Sequence, residues 1–154
     1  MAAFGRLPEP VRLTLIRRLT PSHTLGALAL FEHQDRLLML RQNHRWGWTL
    51  PGGLVDRGET AAEAVCREVV EELGLRIEVG LPIGTVVDPR QRRVDVIFHL
   101  RVPDPPTVRP RGEAVEAQWL SPQDTGPTDG STTQALALWA ASQRPDAYRG
   151  RLLG

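Results

Sequence analysis

The sequence predicts an α/β domain, a mixed β-sheet with helices on its faces. Three observations carry this reading. Two apolar hairpins (24–41 and 76–102) are separated by one strongly patterned helix (60–73), and a further strand (113–120) precedes a closing helix (131–142). At 154 residues the chain is long enough to bury one real core.

Taken in order, Val11 to Leu19 mixes two periods. Val11, Leu13 and Leu15 alternate, whereas Ile16 and Leu19 keep helical spacing, so strand and helix both stay open there. "TLGALALF" (24–31) and "RLLMLR" (36–41) read as strands around the polar turn "EHQD". "QNHRWG" is loop, "WTL" a short strand, and "PGG" a point where the chain changes course. Thr60 to Leu73 is the clearest helix. Thr60 can cap it with Glu63 as reciprocal partner, Gly74 stops it, and Ala62, Cys66, Val69 and Leu73 form the expected core stripe. "RIEVGLPIGTVVD" and "RVDVIFHLRV" flank "PRQRR" as a second hairpin. "PDPPTVRPRG" is a proline-rich connection, "EAVEAQWL" a strand, and "STTQALALWAAS" a helix that opens on capping residues.

Composition removes several chemistries. Formal net charge is +1, so no global field argues for nucleic acid or an anionic membrane as partner. All 19 basic residues are arginine. Without lysine there is neither Schiff-base chemistry nor a Walker phosphate loop. The single cysteine, Cys66, excludes an internal disulfide and a cysteine-built zinc site, and its place in the helical pattern reads as a small buried apolar residue. No apolar run approaches the roughly 18–20 residues that span a bilayer. Prolines at 8 and 10 and interspersed arginines do not suit a secretory signal. The arginine-rich start with one acid, Glu9, leaves a mitochondrial-type presequence open, and a reducing, cytoplasmic location is the default expectation.

The unusual feature is charge. Between Trp48 and Leu75 lie five glutamates, one aspartate and four glycines. Glu68, Glu71 and Glu72 fall three and four residues apart and are expected on one side of the helix, roughly opposite the apolar stripe. Like charges at such spacings destabilise a helix by about 0.2–0.5 kcal/mol per pair. A neutralising partner is therefore expected, either Arg67 as a structural cation or a metal ion. Hard oxygen donors at this density suit Mg²⁺, with Mn²⁺ able to substitute.

The string from Gly53 through Glu59 to Arg67-Glu68-Val69-Val70-Glu71-Glu72-Leu73-Gly74-Leu75 resembles the Nudix box at every specified position. "WTLPGG", the two hairpins and "EAVEAQW" extend the likeness to the Nudix (MutT-like) hydrolase domain over residues 24–142. Residues 1–23 would then be an extension packing on that domain, and 143–154 a tail. The resemblance implies an α/β/α sandwich around a mixed β-sheet. It also implies metal-dependent hydrolysis of a nucleoside diphosphate linked to another moiety, by water attack on phosphorus. Glu68 and Glu72 would be the principal metal ligands and Glu71 would lie close to the metal or hold a water. A carbonyl of Gly52 or Gly53 would add a ligand, and a Glu59–Arg67 ion pair would brace loop against helix. The family also leads one to expect a further carboxylate as ligand or base. Glu113, at the mouth of its strand, is preferred to Glu116, and Glu68 could itself be the base.

Trp46 and Trp48 flank the entry to the glycine loop and could stack on a base, and Arg41 could hold a phosphate. Arg90, Arg92 and Arg93 at the second hairpin's tip read as a solvated turn. The substrate classes that the resemblance implies are nucleoside triphosphates, oxidised ones among them, and ADP-ribose, for which Pro89 is a slight hint. A small-molecule nucleotide is thus the expected partner, with a homodimer expected by analogy. Two rivals remain at this stage. A non-catalytic Nudix-fold sensor is disfavoured by the complete acids and by a chain that ends soon after the last helix. An isomerase of the isopentenyl diphosphate type is disfavoured by the placement of Cys66.

Overall fold

Ala27 to Phe31 and Leu37 to Leu40 are buried at every consecutive position. Strands that are apolar on both sides must be covered on both faces, and this sets the layers. A computed structural model describes residues 8–20, 22–142 and 149–153. Its elements are α1 (Glu9–Leu19), β1 (Thr24–His33), β2 (Arg36–Gln42), β3 (Gly52–Leu54), α2 (Ala61–Leu73), β4 (Ile77–Glu78), β5 (Gly84–Asp88), β6 (Arg93–Arg101), β7 (Ala114–Leu120), α3 (Gly130–Ala141) and β8 (Arg149–Leu152).

The strands form one mixed sheet in the order β4-β8-β6-β1-β2-β7, with β3 paired to β1 and β5 to β6. β1 runs parallel to β6 and antiparallel to β2 and β3. Strand alternation splits the core in two. Ala27, Ala29, Phe31, Leu38, Leu40, Phe98 and Leu100 pack with Ala64, Val65, Val69 and Leu73 of α2. Leu28, Leu30, Leu37, Met39 and Ile97 pack with Ala135 and Trp139 of α3. The result is an α/β/α sandwich around a mixed sheet, as the sequence predicts.

Several local readings are corrected. The first hairpin turns on Gln34 and Asp35 alone, with φ of 47° and 62°, while Glu32 and His33 remain in the strand. Two consecutive positive φ values match the right-handed twist of the flanking strands. "PGG" is no mere turn, because both glycines lie in β3. The run from 76 divides, with Ile77–Glu78 pairing β8 and only Gly84–Asp88 forming the hairpin with β6. Arg93 is not a solvated tip residue: its guanidinium meets buried Asp95 at 2.7 Å. The closing helix is capped by Asp129 rather than Ser131.

α1 is helical, with Val11, Leu13, Ile16 and Leu19 exposed. Residues 1–7 and 21 of the expected extension lie outside the described residues. Of the expected tail, 143–148 and 154 also lie outside them, and Arg149–Leu152 joins the sheet as β8.

Candidate active site

The site is built on α2. Thr60 Oγ1 accepts from Glu63 N–H (3.2 Å) while Glu63 Oε2 accepts from Thr60 N–H (2.8 Å), closing the capping box that starts the helix. Gly74, at φ 68°, ends it. Arg111 N–H donates to the Glu72 carbonyl at 2.8 Å, which ties the segment before β7 to the helix C-terminus. That link carries Glu113, just ahead of β7, toward the acids.

The acids do not lie opposite the apolar stripe. The buried side of α2 is Ala64, Val65, Val69 and Leu73 together with Glu72, and Ala62 and Cys66 sit only at its margin. Glu72 is 5% exposed. Glu68 lies beside it, half-shielded, and Glu71 is exposed. The helix thus aims two carboxylates inward, under the sheet edge formed by β3.

β3 receives them because of its glycines. Gly52 N–H donates to Glu72 Oε2 at 2.9 Å, and Gln42 Nε2 donates to Glu72 Oε1. A Cβ at Gly53 would stand 2.3 Å from Glu68 Oε1, so the carboxylate occupies the space that any side chain there would fill. Burial pushes the Glu72 carboxyl up to about 7. The Glu68 charge adds to this, while the Gly52 and Gln42 hydrogen bonds and the nearby Arg45 charge oppose it.

Arg67 neutralises part of the cluster. Its Nε and one terminal nitrogen grip Glu59 at 2.9 and 3.0 Å, and its other terminal nitrogen reaches Glu68 Oε1 at 2.8 Å. It also donates to the Leu54 carbonyl (3.0 Å) and lies 3.6 Å from Glu71. Hydrogen bonding to Arg67, and to the Asp56 N–H, holds the Glu59 carboxyl below its ordinary value. Loop, strand and helix are therefore fastened at one guanidinium, whereas the hydrogen bonds to Glu72 among the described residues come from neutral donors.

Glu68, Glu71, Glu72, Gly112 and Glu113 line a mostly polar recess of about 290 Å³. Among the described residues, no group of three or more His, Cys, Asp or Glu side chains is already gathered as a ligand set. Glu68 leans on Arg67 instead. The donor chemistry nevertheless fits a hard divalent cation: four carboxylates border one recess, a cradle free of Cβ atoms flanks it, and one acid, Glu72, makes no ion pair among the described residues.

None of the sequence-derived substrate residues lines this recess. Arg41 pairs with Glu116 at 3.5 Å, which leaves Glu116 engaged away from the recess, and its guanidinium carbon is 5.8 Å from the Trp48 ring centroid. Trp48 is half-buried against the α3-side core, and Trp46 is 77% exposed. Three residues missed from sequence belong near the acids. Gln42 touches Glu72, His44 Nε2 lies 3.4 Å from Glu113, and Arg45 is fixed at 3.3 Å by Asp129. Only the capping role of Asp129 could have hinted at the last.

Comparison with known proteins bears on this geometry. The NUDIX domain family model matches residues 22–139. A MutT-like protein of Streptomyces ambofaciens is 31% identical over 105 residues, covering 68% of this chain and 68% of that protein. A Bacillus subtilis protein provisionally named 8-oxo-dGTP diphosphatase is 33% identical over 102 residues, covering 65% and 68%. The crystal structure of an ADP-ribose pyrophosphatase from Streptococcus suis superposes with a TM-score of 0.66 at 26% identity, over 86% of this chain and 98% of that one. The family model spans more than half of the chain and the Streptomyces ambofaciens relative is covered over two thirds of its length, so this chain belongs to the Nudix family as one of its hydrolases.

Proposed function

We propose that this hydrolase is a divalent-cation-dependent pyrophosphohydrolase of nucleoside diphosphate derivatives, with Mg²⁺ as the working ion. The observation that supports this most is Glu72, a buried carboxylate whose hydrogen bonds come from an amide and a backbone N–H, with no ion pair to it among the described residues. Such a group is costly to keep ionised unless a positive charge arrives.

Glu68, Glu72 and Glu71 would hold the ion, with a Gly52 or Gly53 carbonyl beside them. When bound, the ion supplies charge neutralisation of the phosphoryl oxygens and a lowered pKa for the attacking water. The chain's own groups supply position. Arg67 and Glu59 brace the helix against β3. Glu113, exposed at the mouth, takes the proton of the attacking water. Arg45, held by Asp129, adds positive charge toward Glu72 and suits an anionic substrate. Trp46, the exposed ring, stacks on the base, and Arg41, over the Trp48 ring, contacts a phosphate.

Two substrate classes rank first. The names of the Bacillus subtilis and Streptococcus suis relatives point to an oxidised nucleoside triphosphate and to ADP-ribose. A cytoplasmic location and a homodimer belong to the same proposal by analogy alone. The decisive assay measures nucleotide or phosphate release from dGTP, 8-oxo-dGTP and ADP-ribose, with Mg²⁺ and with chelator. Turnover of at least one compound that vanishes with chelator is expected. Turnover that persists in chelator would overturn the cation dependence.

A further inference from the structure

Gln42 is polar at a place the strand otherwise gives to the core. Leu38 and Leu40 precede it on the α2 face of β2, and two-residue alternation brings Gln42 to the same face. Between Arg41 and Gln42 the pairing with β7 slips, with Arg41 opposite Glu116 and Gln42 opposite Ala114. The extra residue, Val115, lies on β7, so β2 keeps its alternation and Gln42 stays on the α2 face. Here the amide reaches Glu72.

Gln42 is 6% exposed, and its Oε1 is buried with no hydrogen-bond partner among the described residues. A buried acceptor left without a donor is destabilising. Turning the amide would bring that oxygen toward Glu72 Oε1 and remove the donor from it. The unsatisfied oxygen is therefore the cost of keeping Nε2 on the carboxylate. A methionine or leucine would fill the same volume without that cost.

We propose that Gln42 is the positioning residue for Glu72. With Gly52 N–H it holds both carboxylate oxygens through uncharged donors, so the acid is oriented yet keeps its charge for a divalent cation. An arginine in that place would put a fixed positive charge on the buried carboxylate and compete with the ion. The inference rests on the cation-dependent reading above.

The test titrates Mn²⁺ into the full chain without substrate, following free Mn²⁺ by electron paramagnetic resonance, with thermal unfolding measured in parallel. Gln42→Met keeps the shape and loses the donor. Its Mn²⁺ Kd is expected to rise about 10- to 100-fold, the usual effect of losing a group that orients a ligand. Its Tm should stay close to the parent's, and saturating metal should restore much of kcat. Gln42→Asn, one methylene too short, should lose affinity similarly and guards against a folding defect in the first variant. A Kd within twofold of the parent in either folded variant overturns the positioning role, and so does a lower Tm with unchanged Kd. If the parent chain itself takes up no Mn²⁺, the cation-dependent reading falls as well, which separates the two failures.

Discussion

Gly52 and Gly53 are neighbours in one strand, yet a methyl group added at each meets a different obstacle. At Gly52 it would sit 2.1 Å from the Ala27 carbonyl oxygen and 2.9 Å from Leu28 Cα, on a backbone with φ 133°. Neither the sheet nor that dihedral can yield, so Gly52→Ala should cost on the order of 3 kcal/mol in urea unfolding. At Gly53 the obstacle is only the end of the Glu68 side chain, 2.3 Å away. Gly53→Ala should leave stability within about 1 kcal/mol of the parent and lower kcat about 100-fold, because a carboxylate displaced by an ångström no longer serves the reaction. A folded Gly53→Ala enzyme with parental turnover would mean that the Glu68 position is unimportant. The Glu59–Arg67 pair was expected in the sequence through the resemblance over Gly53–Leu75, which fixes both residues in one register, and it forms as expected. Gln42 and Arg45 were not legible, since a polar residue ending a strand looks the same whether it meets water or a buried carboxylate.

At the scale of the element, α2 was readable almost residue by residue. Its cap and stop are local chemistry that no tertiary contact overrides. Its orientation was not readable. Apolar spacing alone centred the stripe on Ala62, Cys66, Val69 and Leu73, whereas Glu72 takes a place on the buried side because β3 offers it a donor. The short strands failed for the same reason: β3, β4 and β8 are too short for a period and exist through their partners. The capping box is a testable part of the site's support. Thr60→Ala removes one acceptor for Glu63 N–H and should cost about 1 kcal/mol of stability by chemical denaturation. Because the acids lie in the helix's later turns, turnover per folded molecule should hold near the parental value. A large loss of kcat in a folded Thr60→Ala protein would show that the first turn governs the geometry of the acids.

For the molecule as a whole, the buried acid couples folding to pH. The Glu72 carboxyl rises from 4.5 to about 7 on folding, chiefly through burial. The folded state therefore holds a proton that the unfolded chain releases, and stability from this group is complete below about pH 4.5 and lost as pH rises through 7. A shift of this size corresponds to about 3 kcal/mol at most. Glu59 and Glu63 are lowered by their hydrogen bonds, so their contributions run the other way and disappear only as pH falls below the ordinary carboxylate range. Chelator-treated protein should accordingly weaken between pH 5 and 8 in urea unfolding, and Glu72→Gln should flatten that slope while abolishing hydrolysis. A divalent ion competes with the proton for the same carboxylate, so 10 mM Mg²⁺ should stabilise the parent at pH 8 far more than at pH 5, in proportion to RT ln(1 + [Mg²⁺]/Kd). Equal stabilisation at both values, or a parental slope that survives Glu72→Gln, would show that Glu72 is not where proton and metal exchange.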